Sequence, residues 1–159
     1  MAQRKTSTKT GSVSRSPDAL ALLKADHDLV QDLFAKFEKA RTDKQKAALA
    51  EQICTELTIH AQIEEEIFYP AVREAIDEDD LMDEAEVEHA SAKDLIAQIE
   101  DSKPGEEQFD AKVTVLGEYI KHHVKEEQSE MFPKVRKADL DLKELGAAMS
   151  ARKAQLEAQ

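Results

Sequence analysis

Apolar residues recur along four stretches of this chain at alternating steps of three and four, the spacing that gathers them on one face of an α-helix. The first stretch reads Leu20, Leu23, Val30, Phe34, Phe37. It predicts a helix opening at Ser16-Pro17-Asp18, with Ser16 as N-cap and Pro17 at the first helical position, and closing near Arg41-Thr42. The second restarts at Asp43 as a cap and reads Leu49, Ile53, Leu57, Ile67, Ala71, with Pro70 expected to kink or loosen its end. The third follows the acidic run Asp77 to Asp80, reads Met82, Ala85, Ala92, Ile96, Ile99, and breaks at Ser102-Lys103-Pro104-Gly105. The fourth reads Phe109, Val113, Leu116, Ile120, Met131 and is expected to stop at Pro133. A thinner stripe, Leu142, Leu145, Met149 and Leu156, predicts a shorter fifth helix over about 139–158.

Each of the four seams is interrupted by polar residues, and the interruptions repeat. His27 is the lone polar residue on the first seam and His89 on the third. His60 and Glu64 interrupt the second, His123 and Glu127 the fourth. The last two pairs lie in related segments, HAQIEEEIFYP (60–70) and HVKEEQSEMFP (123–133). Residues four apart share a helix face, roughly 6 Å apart along the axis, so each His and its Glu point the same way. His27 to His60 spans 33 positions and His89 to His123 spans 34, and aligning His27 with His89 brings Leu33, Phe34, Phe37 and Glu38 onto Leu95, Ile96, Ile99 and Glu100. The chain reads as a duplicated αα-hairpin. The expected fold is all-α, an up-down-up-down four-helix bundle over 17–135, with a C-terminal helix within 136–159 that caps the bundle or contacts another chain. His122, about 100° round the helix from His123, is expected to lie outside the site.

Composition narrows the setting. Four Gly, four Pro and one Cys in 159 residues favour helix and exclude a disulfide framework or a Cys-rich metal site. Cys54 sits beside the second seam and reads as a buried small residue. Net charge is −12, and the first 16 residues are basic (Arg4, Lys5, Lys9, Arg15) and Ser/Thr-rich, a composition that reads as a disordered tail. The acidic remainder should repel nucleic acid. With no membrane-length apolar run and no signal-peptide pattern, a cytoplasmic protein is expected, without a membrane partner, as a monomer or weak homo-oligomer.

Six polar residues converging in one apolar core cost several kcal/mol each unless paired or metal-bound, and no Lys or Arg lies on the seams to pair them. Two carboxylates and four imidazoles without thiolate suit iron, manganese or zinc. The duplication favours two ions, with His27 and His60 on one, His89 and His123 on the other, and Glu64 and Glu127 bridging. An oxo or hydroxo bridge would make five ligands per ion and leave each a position open to a small molecule, which favours redox iron over structural zinc.

The order His, His-x-x-x-Glu, His, His-x-x-x-Glu on four helices resembles the hemerythrin-like family in its bacterial HHE cation-binding branch, over about residues 17–135. The resemblance implies a non-haem, carboxylate-bridged centre of two iron ions, with His27, His60, Glu64, His89, His123 and Glu127 at the family's ligand positions. It also implies a diatomic or peroxide ligand: O2, NO or peroxide, in stress handling or sensing. Iron buffering and O2 carriage are the alternatives. The carrier pattern would place a second His where this chain has Lys93, and an Asp where it has Gln128, so the carrier reading ranks lower. Any oxidoreductase activity is left open. Glu65, Glu86 and Glu126 are possible further ligands, and Tyr69 and Tyr119 possible hydrogen-bond donors behind the ligands.

Overall fold

The computed structural model describes residues 17–159. The expected tail over 1–16, and Ser16 as a cap, lie outside the described residues. Helix α1 (Ala19–Lys39) is capped by Asp18, whose carboxylate accepts from the Ala21 N–H at 2.8 Å. The helix therefore opens two residues later than the Ser-Pro motif predicts. Thr42, not Asp43, caps α2 (Asp43–Ile63), closing a reciprocal capping box with Gln45.

Neither proline ends its helix. After α2 the backbone passes through a π-helical turn, Glu64–Phe68, and continues as α3 (Tyr69–Ala75). The other half repeats this: α5 (Phe109–Glu126), a π turn at Glu127–Met131, then α6 (Phe132–Lys137). In each turn an N–H reaches back five residues, Tyr69 to the Glu64 carbonyl and Phe132 to the Glu127 carbonyl. A proline ring clashes with the carbonyl four residues back, and the wider turn just before Pro70 and Pro133 relieves that clash while the rod stays continuous. The extra residue moves the buried face along by one. Past Glu64 the fully buried residues are Phe68, Tyr69 and Val72, while the predicted Ile67 and Ala71 are only partly covered.

With α4 (Asp79–Glu100), the two rods and α1 form a four-helix bundle in which α1 borders α2, α2 borders α4, α4 borders α5 and α5 borders α1. The break after α4 contains Gly105 in the left-handed region, φ 92°. Helix α7 (Leu142–Glu157), capped by Asp141, lies across α1, α2 and the first π turn. Its Gly146 meets the α1 N-terminus so closely that an added Cβ would stand 2.5 Å from the Pro17 carbonyl oxygen. Two apolar clusters fill the bundle. One holds Leu23, Phe68, Tyr69, Met82, Met131 and Met149; the other holds Val30, Ile53, Leu57, Ile96, Val113 and Leu116. Along α1, Leu23 belongs to one cluster and Val30 to the other, with His27 between them.

Candidate metal centre

All six seam residues meet in the layer between the two clusters, each buried: His27, His60, Glu64, His89, His123 and Glu127. The imidazoles form two pairs, His27 with His60 and His89 with His123, each with ring centroids 4.9 Å apart and planes inclined at 63° and 64°. Each glutamate spans both pairs. Glu64 Oε1 is 2.9 Å from His60 Nε2 and 3.4 Å from His89 Nε2. Glu127 sets Oε1 3.4 Å from His27 Nε2 and Oε2 3.1 Å from His123 Nε2.

These short distances are not good hydrogen bonds. His27 Nε2, His60 Nε2, both oxygens of Glu64 and Oε1 of Glu127 are buried without a hydrogen-bond partner. Native interiors rarely leave such atoms unsatisfied. Here several such atoms are gathered within a few ångströms of one another, an arrangement that suits ligands around a cation. Ligand-type atoms of His27, His60 and Glu127 lie within 4.8 Å of one another, as do those of Glu64, His89 and His123. The donor set therefore fits two ions, each with two imidazole nitrogens and carboxylate oxygen.

Three of the four outer ring nitrogens are held as well, the fourth, His89 Nδ1, being without a hydrogen-bond partner, and the duplication extends to the residues that face them. The residue before each lone His supports the His of the following helix: Asp26 Oδ2 lies 2.9 Å from His60 Nδ1, and Glu88 Oε2 lies 2.9 Å from His123 Nδ1. The residue after each Glu faces the lone His: the Gln128 amide lies 3.2 Å from His27 Nδ1, and Glu65 Oε2 lies 3.7 Å from His89 Nδ1. An acceptor at Nδ1 fixes the tautomer that turns the Nε2 lone pair inward and makes the imidazole a stronger donor. Gln128 is placed with its Nε2 towards His27; turned over, the carboxamide would offer its oxygen in the same way. Sequence reasoning gave none of these four that role, although the internal alignment matches Asp26 with Glu88 and Gln128 with Glu65.

Tyr69 also enters the cluster. Its hydroxyl donates to Glu127 Oε2 at 2.7 Å and lies 3.2 Å from His89 Nε2 and 3.3 Å from His123 Nε2. Tyr119, the other expected donor, is half exposed. None of the three further acids brings an oxygen into the cluster. Glu86 pairs with Arg73, Glu126 with His122, and Glu65 with Lys93. His122, as expected, stays outside, exposed on its own helix.

The electrostatics fit a cation. Burial opposes a charge on His60, but the Glu64 carboxylate and the bonds to Asp26 and Glu64 outweigh it, raising its pKa from 6.5 to about 10. His123 is likewise driven up to about 11 against burial by Glu127 and Glu88. Burial would raise Glu64, yet His60 and His89 hold it well below the usual carboxylate range. Burial and the neighbouring glutamates push Tyr69 well above the ordinary phenol value, so it stays a proton donor. A cavity of about 850 Å³ reaches the cluster, with Val30, Leu57, Ile96 and Val124 in its apolar wall. Val87, Tyr119 and His122, with charged residues such as Asp83, Glu84 and Lys93, are among the exposed residues of its lining.

Comparison with known proteins accords with this geometry. The chain is 30% identical over 126 residues to a protein of Nostoc sp. (strain PCC 7120) described as a DNA nickase, an alignment covering 79% of this chain and 36% of that protein. It thus spans about a third of that relative's length. The crystal structure of a hemerythrin HHE cation binding domain-containing protein from Mycobacterium kansasii superposes with a TM-score of 0.77 at 27% identity, covering 89% of this chain and 88% of that one. The family model for the hemerythrin HHE cation binding domain matches residues 18–135, the whole bundle with both His-x-x-x-Glu segments, and the chain belongs to that family.

Proposed function

We propose that this is a non-haem di-iron protein that binds O2, NO or peroxide, acting in the cytoplasm in stress handling or sensing. The observation that carries the reading is the pair of buried glutamates, Glu64 and Glu127, each reaching both histidine pairs, with both oxygens of Glu64 and Oε1 of Glu127 left without a hydrogen-bond partner among the described residues. His27, His60 and Glu127 would hold one ion and His89, His123 and Glu64 the other, each glutamate leaning to the second ion as well. When bound, two iron ions supply reversible one-electron chemistry and open positions for a small oxygen- or nitrogen-centred ligand. The chain supplies the rest. Asp26 and Glu88 orient the imidazoles, Tyr69 holds a proton within 2.7 Å of Glu127, and the apolar wall of the cavity favours an uncharged visitor. That access supports a reactive centre over a purely structural or buffering one.

Metal content and the optical spectrum of protein purified without added metal test this. About two irons per chain with near-ultraviolet charge-transfer bands, perturbed by NO or peroxide, are expected. One zinc, or iron that ignores both ligands, would favour buffering. The nicking activity named for the Nostoc relative is not part of this reading: the chain matches about a third of that protein, and its net charge of −12 opposes a DNA backbone.

A further inference from the structure

The two halves of the centre differ in how their outer carboxylates are held, and the difference comes from a helix outside the duplicated bundle. Asp26 uses both oxygens: Oδ2 meets His60 Nδ1 at 2.9 Å and Oδ1 meets Lys153 Nζ of α7 at 2.6 Å. Its side chain is 8% exposed. Glu88, its counterpart, is 27% exposed and has no cation from α7; beside it are His123 and the carboxyl of Glu126. The third carboxylate, Glu65, does pair with a lysine, Lys93, but both lie at the surface and Glu65 stands 3.7 Å from its imidazole. Helix α7 is firmly seated, with Met149 fully buried, Gly146 against the α1 backbone and Arg152 on Glu66.

We propose that Lys153 is a positioning residue for His60. By binding the far oxygen of Asp26 it stops that carboxylate turning away, and so holds the imidazole in its metal-facing orientation. This rests on the two-ion reading above and adds that the two positions are unequal. The His27/His60 position is the rigid one and keeps its ion longer; the His89/His123 position, backed by more exposed acids, releases first. Ligands held in place before binding lose less freedom on binding, and outer hydrogen-bond partners of metal-bound histidines commonly set affinity.

The test follows iron release from the full-length, iron-loaded protein into a chromogenic iron(II) chelator. Wild type is expected to release its two equivalents in two phases. Lys153→Met is expected to accelerate the slow phase about tenfold and leave the fast phase alone, while Lys153→Arg restores it. Arg152→Met removes the other ion pair that this helix makes with the bundle, to Glu66, and should change neither phase. A single phase in the wild type, an unchanged slow phase in Lys153→Met, or an equal acceleration in Arg152→Met would each overturn the proposal, the last by reducing it to seating of α7. Thermal melts by circular dichroism show that each variant is folded. A wild type holding no iron would instead remove the two-ion reading itself.

Discussion

Tyr69 and Phe132 occupy equivalent positions in the two halves, each five residues after its glutamate, yet only Tyr69 carries a hydroxyl, which it donates to Glu127 of the opposite half at 2.7 Å. Phe132 instead stacks near His27, ring centroids 6.3 Å apart. The centre is therefore twofold in its ligands and asymmetric in its proton donor. Tyr69→Phe should keep the fold and remove the one hydroxyl bonded to the glutamates among the described residues. The metal-free protein is expected to lose about 1.5–3 kcal/mol, the range for a hydrogen bond to a charged group, measured by denaturant unfolding. A loss within error would mean that Glu127 is satisfied another way.

Removing ligands should separate a metal site from a polar core. His60→Ala and Glu64→Ala are each expected to lower bound iron to about one ion or none per chain, measured by elemental analysis of folded protein. Glu86→Ala, which touches only the surface Arg73, should leave it unchanged. Unaltered iron in both ligand variants would rule out the six-residue centre.

Protons and metal compete for the same nitrogens. His60 and His123 are raised from 6.5 to about 10 and about 11 in the metal-free fold. A raised histidine stabilises the fold fully below its unfolded value and loses that contribution as pH climbs to the folded value, so metal-free protein should weaken progressively from about pH 6.5 up to about 10 for His60 and about 11 for His123. Metal needs the neutral rings. Uptake near neutral pH should therefore release protons, and apparent affinity should rise with pH between 6.5 and 10. Calorimetry in buffers of different ionisation enthalpy measures this, and no buffer dependence would contradict the assigned protonation.

Iron should stabilise the fold it completes. Without it, Glu64 and His60 retain buried atoms that no hydrogen bond satisfies. At a free metal concentration about 100-fold above the dissociation constant, binding adds about 2.7 kcal/mol, which for a chain of this length moves the melting temperature by roughly 5–11 °C. Equal melting of metal-free and loaded protein would argue against a bound ion.

Gly146→Ala tests the seating of α7. Alanine is the better helix former by about 1 kcal/mol, but its Cβ would stand 2.5 Å from the Pro17 carbonyl oxygen and 2.7 Å from the Ala19 nitrogen, all backbone. The clash should win, destabilising the protein by about 1–3 kcal/mol in a thermal melt. A more stable variant would mean that α7 rides freely on α1.

Much of the centre was legible because its ligands break a periodic apolar pattern. A histidine between Leu23 and Val30, or a His and Glu between Leu57 and the end of the same seam, has to face the core with its neighbours. Other features were not legible because they depend on what sits across from them. Asp26 is one position off the seam and would be solvated on a bare bundle; it is buried beside Lys153, 127 residues further along the chain. Tyr69 likewise lies one position off a regular continuation from His60 and Glu64, and the π turn at Glu64–Phe68 precedes it directly.

The duplicated hairpin, the all-α bundle and the six residues that share its axis follow from the order of residues alone, because period and spacing bind each side chain to a face of its own helix. Packing of the helices sets which outer groups face the imidazoles, brings the Tyr69 hydroxyl to Glu127 while Phe132 offers none to Glu64, and places Lys153 of α7 on Asp26. Those contacts join elements whose relative placement is set by packing, and helix periodicity carries no information about a neighbour's position.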